Sequence, residues 1–127
     1  MTTRILYVED NDDTRELVSL LLTEASYEVV GTQTCVHALR LAQTSQFGLY
    51  IVDRELLDGS GLGLCRQLRA FDSRTPILFC SGYTTEADRA AAHSAGSQGY
   101  LTKPFDPEHL LAAVAKLLPE TKPRATN

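Results

Sequence analysis

Leu49-Tyr50-Ile51-Val52-Asp53 decides the fold: four apolar residues in a row run into a carboxylate. A strand with one wet face alternates apolar and polar side chains. A continuous apolar run this short predicts a strand covered on both faces, as in a parallel sheet. The same grammar recurs on either side. Ile5-Leu6-Tyr7-Val8 runs into Glu9-Asp10, Ile77-Leu78-Phe79-Cys80 into Ser81, and Tyr100-Leu101-Thr102 into Lys103. Glu28 to Thr32, around Val29-Val30, supplies a further short strand.

Helical patterns fill the intervals. After Asn11-Asp12-Asp13, a cluster suited to capping with Glu16 three residues past Asp13, come Leu17, Leu20 and Leu21 beside Val18, Leu22 and Ala25, a broad apolar face. Val36 to Thr44 turns Ala38, Leu39 and Ala42 inward; Leu64, Cys65, Leu68 and Phe71 mark the third helix. Thr85 to Ala95 is helical but poor in large apolar groups, with Gly96 as its stop. The last helix starts at an Asp106 cap followed by Pro107, and Phe105 can staple onto Leu110. Alternating strands and helices with short connections predict an α/β fold of three layers, a five-stranded parallel sheet with helices on both faces. Residues 1–118 form one domain in this reading, and 119–127 a flexible tail or the start of a linker.

Bulk properties remove several function classes. A net charge of -4 leaves no electrostatic footprint for nucleic acid on this domain. No apolar run approaches the roughly 20 residues that span a bilayer. The start, Met1-Thr2-Thr3-Arg4, lacks a signal-peptide pattern, so the expected compartment is the cytoplasm. Cys35, Cys65 and Cys80 show neither a CxxC pair nor zinc spacing, and read as buried free thiols. His37, His93 and His109 likewise lack ligand spacing.

In open parallel sheets, sites form outside the carboxyl ends of the strands. Glu9, Asp10, Asp53, Ser81 and Lys103 occupy those ends. Mg²⁺ takes oxygen ligands and keeps several waters, so Asp10 and Asp53, with help from Glu9 and a backbone carbonyl in the loop after Asp53, suffice to hold it. A carboxylate can attack phosphorus to form a mixed anhydride, provided that cations offset the repulsion between anions. Lys103 supplies a compact charge for that purpose, and Ser81 a hydroxyl donor.

Four pieces in this order carry a family resemblance: Leu6-Tyr7-Val8-Glu9-Asp10, Ile51-Val52-Asp53, Leu78-Phe79-Cys80-Ser81-Gly82 and Gly99-Tyr100-Leu101-Thr102-Lys103-Pro104-Phe105. Over residues 4 to 118 the chain resembles a two-component response-regulator receiver domain of the chemotaxis-regulator type. The resemblance implies the flavodoxin-like strand order 2-1-3-4-5. It implies that Asp53 accepts a phosphoryl group from a histidine kinase or phosphotransfer protein, with Mg²⁺ held by Glu9, Asp10, Asp53 and the backbone carbonyl of Glu55. Lys103 becomes the phosphate-sensing lysine, Ser81 the switch hydroxyl and Tyr100 the switch aromatic. A changed face of fourth helix, fifth strand and fifth helix then regulates an output domain or target, with a homodimer on activation as one outcome. Such a protein is a signalling switch that catalyses only its own phosphorylation and dephosphorylation. A Lys103–Pro104 bond is cis in many relatives.

Two positions depart from the family pattern. Leu57 stands where a proline is usual, and Ser60 where an aspartate or asparagine is usual, which implies altered loop stiffness. Glu55 and Tyr83, each two residues past a site residue, are expected to tune the lifetime of the acyl phosphate. Rival readings are a phosphate-independent interaction module and an aspartyl-nucleophile phosphatase with Glu55 as general acid. An FMN binder is more distant, because the first strand–helix loop is acidic where a phosphate would sit.

Overall fold

The computed structural model describes residues 2–118, so the expected tail or linker at 119–127 lies outside the described residues. Five parallel strands build the main sheet: β1 (Arg4–Val8), β2 (Glu28–Thr32), β3 (Leu49–Asp53), β4 (Ile77–Ser81) and β5 (Gly99–Thr102). Their spatial order is 2-1-3-4-5. The helices between and after them are α1 (Asp12–Glu24), α2 (Cys35–Thr44), α3 (Gly61–Arg69), α4 (Glu86–Ser94) and α5 (Pro107–Leu117).

The apolar runs are buried on both faces because their successive side chains enter two separate cores. Leu6, Val8, Tyr50, Val52, Ile77 and Phe79 point to one face, where α2, α3 and α4 supply Ala38, Leu64, Leu68 and Ala92. Ile5, Tyr7, Leu49, Ile51, Leu78 and Cys80 point to the other, against Val18 and Leu22 of α1 and Leu110 and Val114 of α5. Each of the large side chains withdrawn in this way stabilises the fold by about 1.5–3 kcal/mol relative to exposure.

Helix α1 departs from expectation in two ways. Its N-cap is Asn11, whose side chain accepts from the Thr14 N–H at 2.8 Å, so Asp12 and Asp13 lie in the first turn, where carboxylates favour the helix dipole. Its buried stripe is also narrower than the sequence suggests. Val18 and Leu22, one turn apart, meet the sheet, while Leu17 and Leu20 are 58% and 54% exposed. A cylinder lying on a sheet buries only a stripe, and five apolar residues in one helix exceed it. Helix α3 ends at Arg69, which leaves Phe71 beyond it and exposed.

Other boundaries follow local chemistry. Asp106 caps α5 through the His109 N–H at 2.9 Å, Pro107 opens it, and Phe105 and Leu110 share one core. Gly96 follows α4 with φ +115°, a conformation open to glycine without strain. The loop after β3 is more ordered than a glycine-containing connection suggests. Glu55–Leu56 pairs antiparallel with Gly59–Ser60, and Ser60 caps α3 by accepting from the Gly63 N–H at 3.0 Å.

Candidate functional site

The sheet register brings the chemistry-bearing residues to one edge. Val8 pairs with Val52, Asp53 with Cys80, and Ser81 with Thr102, so Glu9, Asp53, Ser81 and Lys103 leave the sheet on neighbouring strands. Backbone hydrogen bonds carry the ladder past the last paired residues. The Glu9 N–H donates to Thr32 O at 2.9 Å, Arg54 N–H to Cys80 O at 2.9 Å, and Lys103 N–H to Ser81 O at 2.8 Å. Positions far apart in the chain are thereby held by sheet geometry rather than by mobile loops.

Lys103 joins the two most buried carboxylates. Its ammonium donates to Glu9 Oε1 at 3.0 Å and also contacts Asp53 Oδ1 directly. Burial alone would lower the lysine pKa, but the hydrogen bonds to Asp53 and Glu9 outweigh it and hold the ammonium above its ordinary value. Glu9 is 2% exposed, and burial pushes its carboxyl upward against the opposing bond from Lys103. Its remaining acceptor capacity is used by the Tyr7 hydroxyl at 3.3 Å and the Asn11 N–H at 3.2 Å. Asp53 is 7% exposed, and its Oδ2 accepts from the Glu55 N–H at 3.3 Å.

Glu9, Asp10 and Asp53 each offer a carboxylate oxygen, all within 4.8 Å of one another. Three hard oxygen donors so close together, with a single lysine to offset them, fit a small divalent cation better than they fit each other. Glu55 lies at the rim with an exposed side chain, and among the described residues the ion pairs of Lys103 go to Glu9 and Asp53 rather than to Glu55.

Beside the carboxylates opens a cleft of about 110 Å³ lined by Asp53, Arg54, Glu55, Ser81, Gly82, Tyr83 and Lys103. Ser81 is buried, and its Oγ accepts from the Tyr83 N–H at 3.0 Å. Tyr100 is half-buried with its ring centroid 5.8 Å from that of Phe79, and its hydroxyl donates to the Tyr83 carbonyl at 2.5 Å. The Lys103–Pro104 peptide is cis.

Glu9, Asp10, Asp53, Ser81 and Lys103 therefore meet at this edge, Glu55 lies at its rim, and Tyr100 sits within β5, paired with Phe79 and three residues before Lys103. The sequence reading missed Arg54 and Asp88. The guanidinium of Arg54 stacks on Tyr83 at 4.2 Å and pairs with Asp88 at 3.7 Å. A basic residue directly after the candidate acceptor was the available signal. The nearby hydroxyl of Thr85 is occupied in capping α4.

Residues 5–115 match the response regulator receiver domain family. The regulatory protein VanR of Enterococcus faecium is 36% identical over 115 residues, covering 90% of this chain and 49% of its own length. The chain thus spans about half the length of the curated relatives it matches. Among solved structures, the chemotaxis protein CheY4 of Vibrio cholerae superimposes with a TM-score of 0.89 at 30% identity, covering 93% of this chain and 100% of that one. The receiver domain of the sensor histidine kinase PA1611 from Pseudomonas aeruginosa PAO1, which has a magnesium ion coordinated in its active-site cleft, gives 0.84 at 26% identity, covering 92% and 98%.

Proposed function

Since the chain belongs to the response regulator receiver domain family, a phosphorylation-dependent switch of two-component signalling, we propose that Asp53 is its phosphoacceptor. The observation that carries this assignment is the Lys103 ammonium bridging Glu9 and Asp53 at the strand ends. A lone buried carboxylate would repel a phosphoryl group. This one has a cation in contact, acidic neighbours able to hold a second, and a hydroxyl across the cleft.

An Asp53 carboxylate oxygen attacks phosphorus in line, and the bond from phosphorus to the donor's nitrogen or oxygen breaks with its electron pair leaving on the donor. The product is a mixed anhydride, which water later cleaves to restore the carboxylate and release phosphate. Lys103 stabilises charge on the transferring oxygens, and Ser81 turns its hydroxyl from the Tyr83 amide toward one of them. Glu9, Asp10 and Asp53, with the Glu55 carbonyl, would hold Mg²⁺, which supplies the remaining neutralisation of the phosphoryl oxygens. The cleft, about 110 Å³, has room for a phosphoryl group beside Asp53, Ser81 and Lys103.

The phosphoryl group shifts a pre-existing equilibrium. Movement of Ser81 pulls on Tyr83, and Tyr83 is the acceptor for Tyr100. The face of α4, β5 and α5 changes with it and alters affinity for an output domain or target, including a second copy of the chain. The donor is a histidine kinase or phosphotransfer protein, and the compartment the cytoplasm; among the described residues no helix is long and apolar enough to cross a membrane.

Acetyl phosphate with Mg²⁺ is expected to place one acid-labile phosphoryl group on the protein, and Asp53→Asn to abolish it. Beryllofluoride titration followed by the Tyr100 environment gives a second readout. Stoichiometric labelling of Asp53→Asn would refute the assignment.

A further inference from the structure

Arg54 lines the cleft but takes no part in the chemistry described so far, and its contacts lead away from it toward α4. Its backbone is fixed by the N–H bond to Cys80 O at 2.9 Å. From there the side chain crosses to the connection between β4 and α4. The guanidinium carbon stands 4.2 Å above the Tyr83 ring, and Nη1 lies 3.7 Å from Asp88 Oδ1. Asp88 belongs to the capping box that starts α4: its Oδ2 accepts from the Thr85 hydroxyl at 2.6 Å and the Thr85 N–H at 3.3 Å. Tyr83 in turn donates its N–H to Ser81 Oγ and accepts the Tyr100 hydroxyl on its carbonyl.

We propose that Arg54 is a strap across the mouth of the cleft, holding the β4–α4 connection over Asp53 and so limiting both the entry of small phosphodonors and the access of water to the acyl phosphate. The inference rests on the assignment of Asp53 as phosphoacceptor. Arginine suits this position for a physical reason. Its flat cation covers an aromatic ring with one face while its in-plane N–H groups reach a carboxylate, whereas lysine offers a point charge that does one or the other. Arg54 is therefore a positioning residue: it acts on the reaction through Tyr83 and the start of α4.

The strap has two independent readouts. In the unphosphorylated protein, Arg54→Ala should speed amide hydrogen exchange across residues 82–88 by about fivefold to tenfold, the change in loop opening that a cation–π contact and a half-exposed ion pair together sustain. In the phosphorylated protein it should shorten the acyl-phosphate lifetime by a similar factor while labelling by acetyl phosphate becomes faster. Tyr83→Phe, which keeps the ring, should leave the exchange of residues 82–88 near that of wild type; Tyr83→Ala should follow Arg54→Ala in it. Arg54→Lys should fall between them, and Asp88→Asn, which can still cap α4, should move both in the same direction by less. Unchanged exchange in Arg54→Ala overturns the strap. So does slower labelling of that variant, which would make Arg54 a phosphoryl ligand. If wild type failed to label at all, the acceptor assignment would fall, and the exchange comparison would still decide whether Arg54 restrains the connection.

Discussion

At the scale of single residues, the site is a problem in charge balance that Lys103 solves. Glu9 and Asp53 are both buried, and the lysine touches both. Lys103→Met should therefore cut the rate of labelling by acetyl phosphate about 100-fold or more, the usual loss when one donor to a developing anion is removed. The variant should keep its fold, because the missing cation can be replaced by Mg²⁺ among the carboxylates. The contact also has a pH signature. The folded-state pKa of Lys103 is raised, so the stability it contributes is fully present below the unfolded lysine value and disappears as pH rises through the folded one, in the alkaline window. Asp72 has the opposite sign. Burial would raise its carboxyl, but donors from the Tyr50 hydroxyl at 2.6 Å, the Thr75 hydroxyl at 2.7 Å and the Thr75 and Arg74 N–H groups at 3.0 Å hold it well below the carboxylate range. Its contribution is complete above the unfolded carboxylate pKa and is lost only as pH falls through the lower folded value. Asp72→Asn is expected to cost roughly 1–3 kcal/mol at neutral pH, with the difference shrinking in acid. Urea unfolding of both proteins across pH measures this, and a constant difference would show that charge is not the cause.

At the scale of elements, the connection from β3 to α3 sets the position of Asp53, the proposed acceptor. Gly61 opens α3 directly under the end of β3: a methyl group there would collide with the Asp53 carbonyl oxygen and lie 2.9 Å from Phe79 Cε1. Gly61→Ala should destabilise the domain by about 1–3 kcal/mol, as overpacking does in a filled core. It should also lower labelling of Asp53, because the strand end and not a flexible side chain must give way. Denaturant midpoints and acetyl phosphate labelling test the two effects on one sample. A silent Gly61→Ala would mean that the connection is looser than its pairing suggests. Much of this element level was legible in the sequence. Continuous apolar runs leading into Glu9, Asp53 and Ser81 announced buried parallel strands, and Asp106-Pro107 announced a helix start. The face of α1 was not, because five apolar residues around one helix do not reveal which of them are buried against the sheet. The pairing of Glu55–Leu56 with Gly59–Ser60 was hidden by glycines that read as loop. Arg54 was hidden because its partners, Tyr83 and Asp88, come near it only once β3 and β4 lie side by side.

At the scale of the whole molecule, a cation held as proposed by the acidic cluster would make folding and cation binding one equilibrium. Glu9, Asp10 and Asp53 come from the ends of two different strands, so their oxygens lie within 4.8 Å only while the sheet is intact. The unfolded chain offers no such set, and a cation that binds the native state alone must stabilise it. At a Mg²⁺ concentration 100 times its dissociation constant the gain is about 2.7 kcal/mol. For a domain of this size that corresponds to a rise in Tm on the order of 10 °C. Chelation should reverse the shift, and an equal ionic strength of NaCl should not reproduce it, since general screening acts equally on charges elsewhere on the surface. Asp10→Asn should diminish the Mg²⁺-dependent part by removing a ligand from the rim while leaving the buried Lys103 contacts in place. Asp53→Asn should diminish it too, and in addition abolish labelling. The pair of variants separates cation binding from phosphoryl acceptance, two roles that the proposal combines in Asp53. Thermal scans of the three proteins with MgCl₂, NaCl and chelator give the answer, and a Mg²⁺ shift that survives both substitutions would place the cation elsewhere on the molecule.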